Sequence, residues 1–109
     1  MRKLAQDYLA ILKGELAGLN LTRILDEEDF YNKQIVDSLI PYEQSKFFSK
    51  ELADKKLLVD IGFGGGFPLV PLAWKEPGYN FVGFDGKRKK ADAVALICER
   101  LELKNVRPM

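Results

Sequence analysis

A glycine-rich segment beside acidic residues has the residue types that bind a small-molecule ligand. Residues 60–66 read Asp-Ile-Gly-Phe-Gly-Gly-Gly and follow a run of apolar residues. Glycines at Gly62, Gly64 and Gly66 let the backbone turn sharply off a strand, and they leave space for a ligand at the N-terminus of the next helix. The dinucleotide fingerprint G-x-G-x-x-G needs its third glycine where Phe67 stands, so the spacing here departs from that motif.

Two carboxylates narrow the class of ligand. Asp60 lies two residues before the first glycine, where a negative charge would repel a pyrophosphate and attract an ammonium group. Asp85 follows the next predicted strand, where a carboxylate accepts hydrogen bonds from ribose hydroxyls. S-adenosylmethionine has an ammonium group and a ribose but no phosphate, so we predict that this loop binds it. A tight turn without a ligand is the alternative.

The elements around the loop alternate between strand and helix. Apolar runs and turn residues predict a strand over 57–61 buried on both faces, a helix over 67–74, a strand over 80–84, a helix over about 87–103 and the approach to a third strand at 105–106. This order is a right-handed βαβ unit with a parallel sheet. Two or three parallel strands leave a face or an edge uncovered, so we expect the chain to be the front part of a larger domain.

The N-terminal half has helical patterns. An apolar stripe predicts an amphipathic helix over 2–18, carried by Leu4, Tyr8, Leu12 and Leu16. A second helix is predicted to begin after the N-cap Asp26 and to end near Pro41. A third, over about 43–52, is predicted to bury Phe47 and Phe48.

The charge distribution changes at about the same place as the pattern. Residues 1–54 hold seven Lys or Arg against ten Asp or Glu, and residues 55–109 hold ten against six. We predict that residues 1–54 form an N-terminal helical cap and that residues 55–109 form the first half of a Rossmann-like α/β domain. The basic second half permits a polyanionic partner. Its candidate contacts to RNA phosphates are Lys87, Arg88, Lys89 and Lys90, with a solvated helix turn as the alternative.

The composition excludes several classes of protein. The 109 residues are 47% hydrophobic and 30% charged, which is typical of one small globular domain. The sequence has no histidine and one cysteine, Cys98, so it excludes an internal disulfide, an imidazole-based triad and a His/Cys zinc site; we expect no metal. A single cysteine fits a reducing cytoplasm, and no apolar run is long enough to predict a membrane span.

From these residues outward, the sequence resembles the bacterial small-subunit ribosomal RNA guanine methyltransferases of the RsmG (GidB) family. The matching blocks follow the family's order: Asn20-Leu21-Thr22, Ile35-Val36-Asp37-Ser38-Leu39, Asp60 to Pro68, Pro71-Leu72, Asp85, Lys87 to Lys90 and Leu103 to Val106. The glycine motif alone indicates only a class I S-adenosylmethionine-dependent methyltransferase with a Rossmann-like fold, and the N-terminal blocks make the resemblance specific.

The resemblance implies S-adenosylmethionine-dependent methylation of guanine nitrogen 7 in 16S ribosomal RNA of the small ribosomal subunit. Gly62 and Phe67 then occupy cofactor-contact positions, whereas Asp60, Gly64, Gly66 and Asp85 match the class-wide cofactor motifs. The family usually has a histidine where Gln34 stands, and its chain is about twice as long.

Some of the family's functional residues therefore have no counterpart in this sequence. Further cofactor contacts and a basic residue near the reacting centre would lie beyond Met109, so we expect these 109 residues to be inactive alone, and we assign no catalytic residue. Two other classes stay open. One is a non-enzymatic RNA-binding or interaction module, and the other is the nucleotide-binding part of a nicotinamide-dependent oxidoreductase. Asp60 and Phe67 argue against the oxidoreductase.

Overall fold

Helices form the N-terminal half. The computed structural model describes residues 2–19, 21, 24 and 26–109, so Asn20 and Thr22 of the first family-like block lie outside the described residues. In chain order the elements are α1 (Arg2–Lys13), a 3₁₀ turn (Ala17–Leu19), α2 (Glu27–Phe30), a π-helical segment (Tyr31–Val36), α3 (Asp37–Gln44) and α4 (Lys46–Lys55). Asp26 caps α2 as predicted, because its side chain accepts a hydrogen bond from the Asp29 amide at 3.1 Å.

The ends predicted for the first two helices differ from the structure. The predicted helix 2–18 stops at Lys13, because the poor helix former Gly14 begins a turn, although Leu16 is still buried as predicted. The predicted end at Pro41 is wrong, since α3 continues to Gln44. A proline removes its own amide donor and its ring crowds a carbonyl of the preceding turn, but its φ suits a helix, so the residues after it can continue the helix. The Ser45 amide donates to the Pro41 carbonyl at 3.0 Å.

The prediction that α4 buries both Phe47 and Phe48 is half wrong. Ser45 is the N-cap of α4, and the two phenylalanines follow it as neighbours about 100° apart around the helix, so they face different directions. Phe48 is half-buried and packs edge-on against Tyr42, with ring centroids 6.0 Å apart. Phe47 is 77% exposed.

A parallel sheet follows, as predicted. Its described strands are β1 (Leu57–Ile61), β2 (Asn80–Phe84) and β3 (Val106–Pro108), in the order β1-β2-β3. The crossover helices are α5 (Leu69–Lys75) and α6 (Arg88–Arg100). The Asn105 side chain joins the end of α5 to the start of β3, because its Nδ2 donates to the carbonyls of Ala73, Glu76 and Tyr79 at 3.0–3.1 Å.

The prediction that β1 is buried on both faces is wrong for the described chain. Leu57, Val59 and Ile61 point to one face of the sheet and are 49%, 52% and 83% exposed. Asp60 and its register partner Gly83 lie on the opposite face, against which α5 packs. An apolar strand is buried on both faces only when helices cover both, and the described helices cover one.

The helical half and the sheet share one hydrophobic core. It contains Leu4, Tyr8, Leu12 and Phe30 from the helical half and Phe63, Leu69, Val70, Phe81, Val94 and Ile97 from the rest. Through this core the helices of the N-terminal half reach the glycine-rich segment, so they contribute directly to its shape.

Candidate functional site

The glycine loop, residues 62–66, leaves the sheet at the carboxyl end of β1. Gly62 extends the strand pairing by one residue, because its amide donates to the Phe84 carbonyl at 2.6 Å. Gly62, Gly64 and Gly66 all have positive φ, at +80°, +58° and +103°. Residues with a Cβ atom rarely adopt these backbone conformations, so the path of the backbone itself requires the three glycines of the motif.

The glycine loop has an open side and a packed side. A methyl group added at Gly62 or Gly64 would meet no atom of the described residues within 4 Å. One added at Gly65 would lie 2.9 Å from the Leu21 carbonyl, and one at Gly66 would meet the Tyr8 hydroxyl. Space for a ligand therefore lies on the side of Gly62 and Gly64, whereas Gly66, also predicted to bind cofactor, faces the N-terminal helices.

Asp85 joins the glycine loop to the start of α6. Its Oδ2 accepts a hydrogen bond from the Gly64 amide at 3.0 Å, and its Oδ1 accepts one from the Lys87 amide at 2.9 Å. The hydrogen bonds from the Lys87 and Gly64 amides lower the pKa of Asp85, so the carboxylate is charged at neutral pH. Each carboxylate oxygen accepts more than one hydrogen bond, which leaves capacity for ribose hydroxyls.

Asp60 lies on the covered face of the sheet. The Leu69 amide at the start of α5 favours its charged form and so acts to lower the pKa of Asp60. Its Oδ2 atom is buried and has no hydrogen-bond partner among the described residues. Burial raises the pKa of Asp60, because removal from water disfavours the charged form. A cationic ligand group beside this carboxylate would offset that cost.

Phe67 packs on the helical half. Its ring stacks on the Tyr8 ring, with centroids 5.1 Å apart and planes 18° apart, and it meets Phe30 edge-on at 5.8 Å. Phe67 is only half-buried in this cluster, so its predicted contact with a cofactor remains a prediction. The neighbouring Phe63 is a core residue that packs against the backbone of Gly83.

The predicted RNA contacts form the first turn of α6 and line a cavity. Lys87, Arg88 and Lys89 are exposed and Lys90 is half-buried. Together with Leu19 and Leu21, these four residues line a cavity of about 370 Å³. Lys87 is also hydrogen-bonded to Asp85 through its amide, so the basic turn begins beside the glycine loop.

Tyr8 is the residue at this site that sequence reasoning missed. It was predicted only as part of the apolar stripe of α1, and it is indeed fully buried. Its hydroxyl donates a hydrogen bond to the Gly65 carbonyl. The signal in the sequence was the residue type, because a buried tyrosine needs a partner for its hydroxyl where leucine would need none.

Two further properties concern residues 2–19, 21, 24 and 26–109, the part of the chain that the structure describes. No helix of this part of the chain is long and apolar enough to cross a bilayer. Within the same ranges, no group of three or more Asp, Glu or Cys side chains is placed to hold a metal ion.

The family model and the individual relatives that match this chain all carry the same family name. The family model described as rRNA small subunit methyltransferase G (GidB) matches residues 1–109. A ribosomal RNA small subunit methyltransferase G of Prochlorococcus marinus (strain AS9601) is 36% identical over 86 residues, which cover 79% of this chain and 35% of the relative. Those of Mesoplasma florum and Microcystis aeruginosa are 34% and 35% identical and cover 92% and 94% of this chain.

These three relatives are considerably longer than this chain. The matched segments make up 35%, 40% and 45% of the relatives' own lengths. Because the family model matches the whole chain, this chain belongs to the rRNA small subunit methyltransferase G family.

Proposed function

We propose that this chain provides the cofactor loop and a basic RNA-contacting turn of an S-adenosylmethionine-dependent methyltransferase. The substrate is 16S ribosomal RNA of the small ribosomal subunit, the position methylated is nitrogen 7 of a guanine, and the reaction takes place in the cytoplasm. The relatives named ribosomal RNA small subunit methyltransferase G support the reaction and the class of RNA. In this assignment residues 1–54 act as a helical cap on the first half of a class I domain.

The observation that carries the proposal is an open glycine loop beside a carboxylate with one buried oxygen that no group in the described part of the chain hydrogen-bonds. Gly62 and Gly64 leave room for a ligand to approach the backbone. Asp60, whose buried Oδ2 has no hydrogen-bond partner among the described residues, would accept the ammonium group of the methionine moiety. Asp85, charged and fixed beside Gly64, would accept the ribose hydroxyls. When bound, S-adenosylmethionine supplies an electrophilic methyl group on its sulfonium.

The proposed chemistry suits the residues present. Guanine nitrogen 7 has a free lone pair at neutral pH, so no general base has to remove a proton before methyl transfer. The sequence contains no histidine, and this reaction needs none. The contribution of the chain is alignment of the reacting groups, which is a large source of rate enhancement in itself. Loops and single-stranded regions are the RNA segments in which base edges are most accessible to a protein.

The basic turn supports RNA binding next to the loop. Lys87, Arg88 and Lys89 project into solvent at the N-terminus of α6, where positive charges are unfavourable for the helix dipole. Asp92 is the ion-pair partner of Arg88, and at 4.0 Å between exposed side chains this pair is weak. Phosphate oxygens of RNA would offset both the dipole and the mutual repulsion of the cations.

Calorimetric titration with S-adenosylhomocysteine, in parallel with NAD, tests the cofactor assignment. We expect saturable binding of S-adenosylhomocysteine, at least tenfold weaker binding in Asp60→Asn, and no binding of NAD. The matched control is Asp54→Asn, which removes an exposed carboxylate from α4. Binding of NAD in place of S-adenosylhomocysteine would favour the oxidoreductase, and a folded chain that binds neither would contradict the proposal.

The salt dependence of RNA binding tests the proposed role of the basic turn. The double variant Lys87→Gln/Lys89→Gln should bind a 16S ribosomal RNA segment more weakly, and the slope of log K against log salt should fall by about 1–2. Lys50→Gln/Lys55→Gln on α4 removes the same charge and should leave the slope closer to that of the unmodified chain. A non-enzymatic RNA-binding module would show the same RNA binding but no S-adenosylhomocysteine affinity that depends on Asp60.

A further inference from the structure

We propose that Tyr8 is a positioning residue for the glycine loop, holding it from the helical half in the conformation that leaves its other side open. This inference rests on the proposed function, since it concerns binding at the same loop. Tyr8 does not line the open side, so it acts through the backbone of the loop and not by contact with a ligand.

The contacts of Tyr8 converge on the packed side of the glycine loop. Its hydroxyl donates to the Gly65 carbonyl, and the same hydroxyl occupies the space that a side chain at Gly66 would need. Its ring forms a three-ring cluster with Phe67, stacked at 5.1 Å, and Phe30, tilted at 5.5 Å. One side chain of α1 therefore contacts three successive residues, 65–67, of which the first two belong to the loop and the third lies two residues before α5.

A run of three glycines needs such support. Glycine loses more backbone freedom on ordering than any other residue, so Gly64 to Gly66 would sample many conformations if nothing held them. Asp85 holds one end through the Gly64 amide, and Tyr8 holds the other through the Gly65 carbonyl. With both contacts made, the loop is fixed from two sides and its open side keeps a constant shape.

The hydroxyl of Tyr8 is suited to this role at any ordinary pH. Burial raises its pKa well above the usual range, so the group stays protonated and remains a donor. Replacement by phenylalanine keeps the ring and both aromatic contacts but leaves the Gly65 carbonyl buried without this partner. The loop then spends less of its time in the binding conformation, and the apparent affinity falls in proportion to that fraction.

Amide hydrogen exchange of the unliganded chain is the first arm of the test. In Tyr8→Phe we expect the amides of Gly64, Gly66 and Phe67 to exchange at least tenfold faster, while those of Val94 and Ile97 in α6 keep their rates. The matched control is Tyr42→Phe, which removes a tyrosine hydroxyl from α3, away from the loop, and there the loop amides should not change. Unchanged loop rates in Tyr8→Phe, or equal acceleration in α6, would overturn the proposal.

Titration with S-adenosylhomocysteine is the second arm. We expect about tenfold weaker binding in Tyr8→Phe and unaltered binding in Tyr42→Phe. If the unmodified chain binds no S-adenosylhomocysteine, the proposed function fails, yet the exchange arm still decides whether Tyr8 orders the loop. If Tyr8→Phe loosens the loop but binds with full affinity, the positioning role is refuted. If Tyr8→Phe does not fold, Phe30→Leu takes its place. It removes one aromatic contact of the Tyr8 ring and keeps the Tyr8 hydroxyl, and the same three amides must then exchange faster.

Discussion

The two sides of the glycine loop predict different effects for the same substitution at Gly64 and Gly66. At Gly64 the φ of +58° lies in the left-handed region, and an added methyl group would meet no atom of the residues that the structure describes within 4 Å. The left-handed conformation costs alanine about 1–2 kcal/mol, and the reduced freedom of the unfolded chain offsets about 0.4–1 kcal/mol. Gly64→Ala should therefore lower the free energy of unfolding by only about 1 kcal/mol.

At Gly66 two costs combine. Its φ of +103° is outside the left-handed region that alanine tolerates, and the methyl group would meet the Tyr8 hydroxyl and lie 3.0 Å from Val70 Cγ2. Backbone strain of about 1–3 kcal/mol and overpacking of about 1–3 kcal/mol give a loss of about 3 kcal/mol or more. For a chain of this size, that corresponds to a fall in Tm of roughly 12 °C, against roughly 4 °C for Gly64→Ala.

Urea unfolding followed by circular dichroism, with S-adenosylhomocysteine titration of the same samples, measures both effects. We expect Gly64→Ala to stay folded and to lose at least tenfold in affinity, because its methyl group occupies the open side. Gly66→Ala should lose mainly stability. Equal destabilisation by the two variants, or full affinity in Gly64→Ala, would refute the assignment of an open and a packed side.

Three further predictions concern the side chains of Asp60, Asn105 and Asp85. Asp60→Asn should raise the urea midpoint at pH 7, since a carboxyl whose folded-state pKa is raised by burial destabilises the fold once it is charged; a lowered midpoint would contradict this reading of Asp60. Asn105→Ala should lower the free energy of unfolding by about 1–3 kcal/mol, because it removes a donor shared by three carbonyls. An unchanged Tm in calorimetric unfolding would contradict this prediction. The contribution of Asp85 to loop anchoring should be complete above its ordinary pKa of about 3.9 and lost as the pH falls below that value through the lowered folded-state pKa; a carbon-detected NMR titration showing a midpoint at or above 3.9 would count against it.

Local patterns were sufficient to predict most of the secondary structure. The strand predicted over 80–84 is β2 as observed, and the one over 57–61 is β1. The Asp26 cap was also correct, because it depends on residues within one helical turn. The α/β order follows directly from these elements.

Features that depend on distant residues could not be predicted in the same way. The Tyr8 hydroxyl meets a carbonyl 57 residues away, and Asp85 meets an amide 21 residues away. The exposure of Val59 and Ile61 is likewise a property of which sheet face the helices cover, and an apolar run alone does not contain that information. The sequence therefore indicated the residue types of the site, while its two-sided geometry required the tertiary structure.

The measurement that tests the central proposal most directly is an NMR titration of the isotope-labelled chain with S-adenosylhomocysteine. Binding at the open side of the loop predicts saturable shifts of the Gly62, Gly64 and Asp85 amides, with little change in α4. The same titration of Asp60→Asn should show those shifts only at tenfold or higher ligand concentration. Shifts confined to other parts of the chain, or none in a folded sample, would contradict the assignment of a cofactor site to these residues.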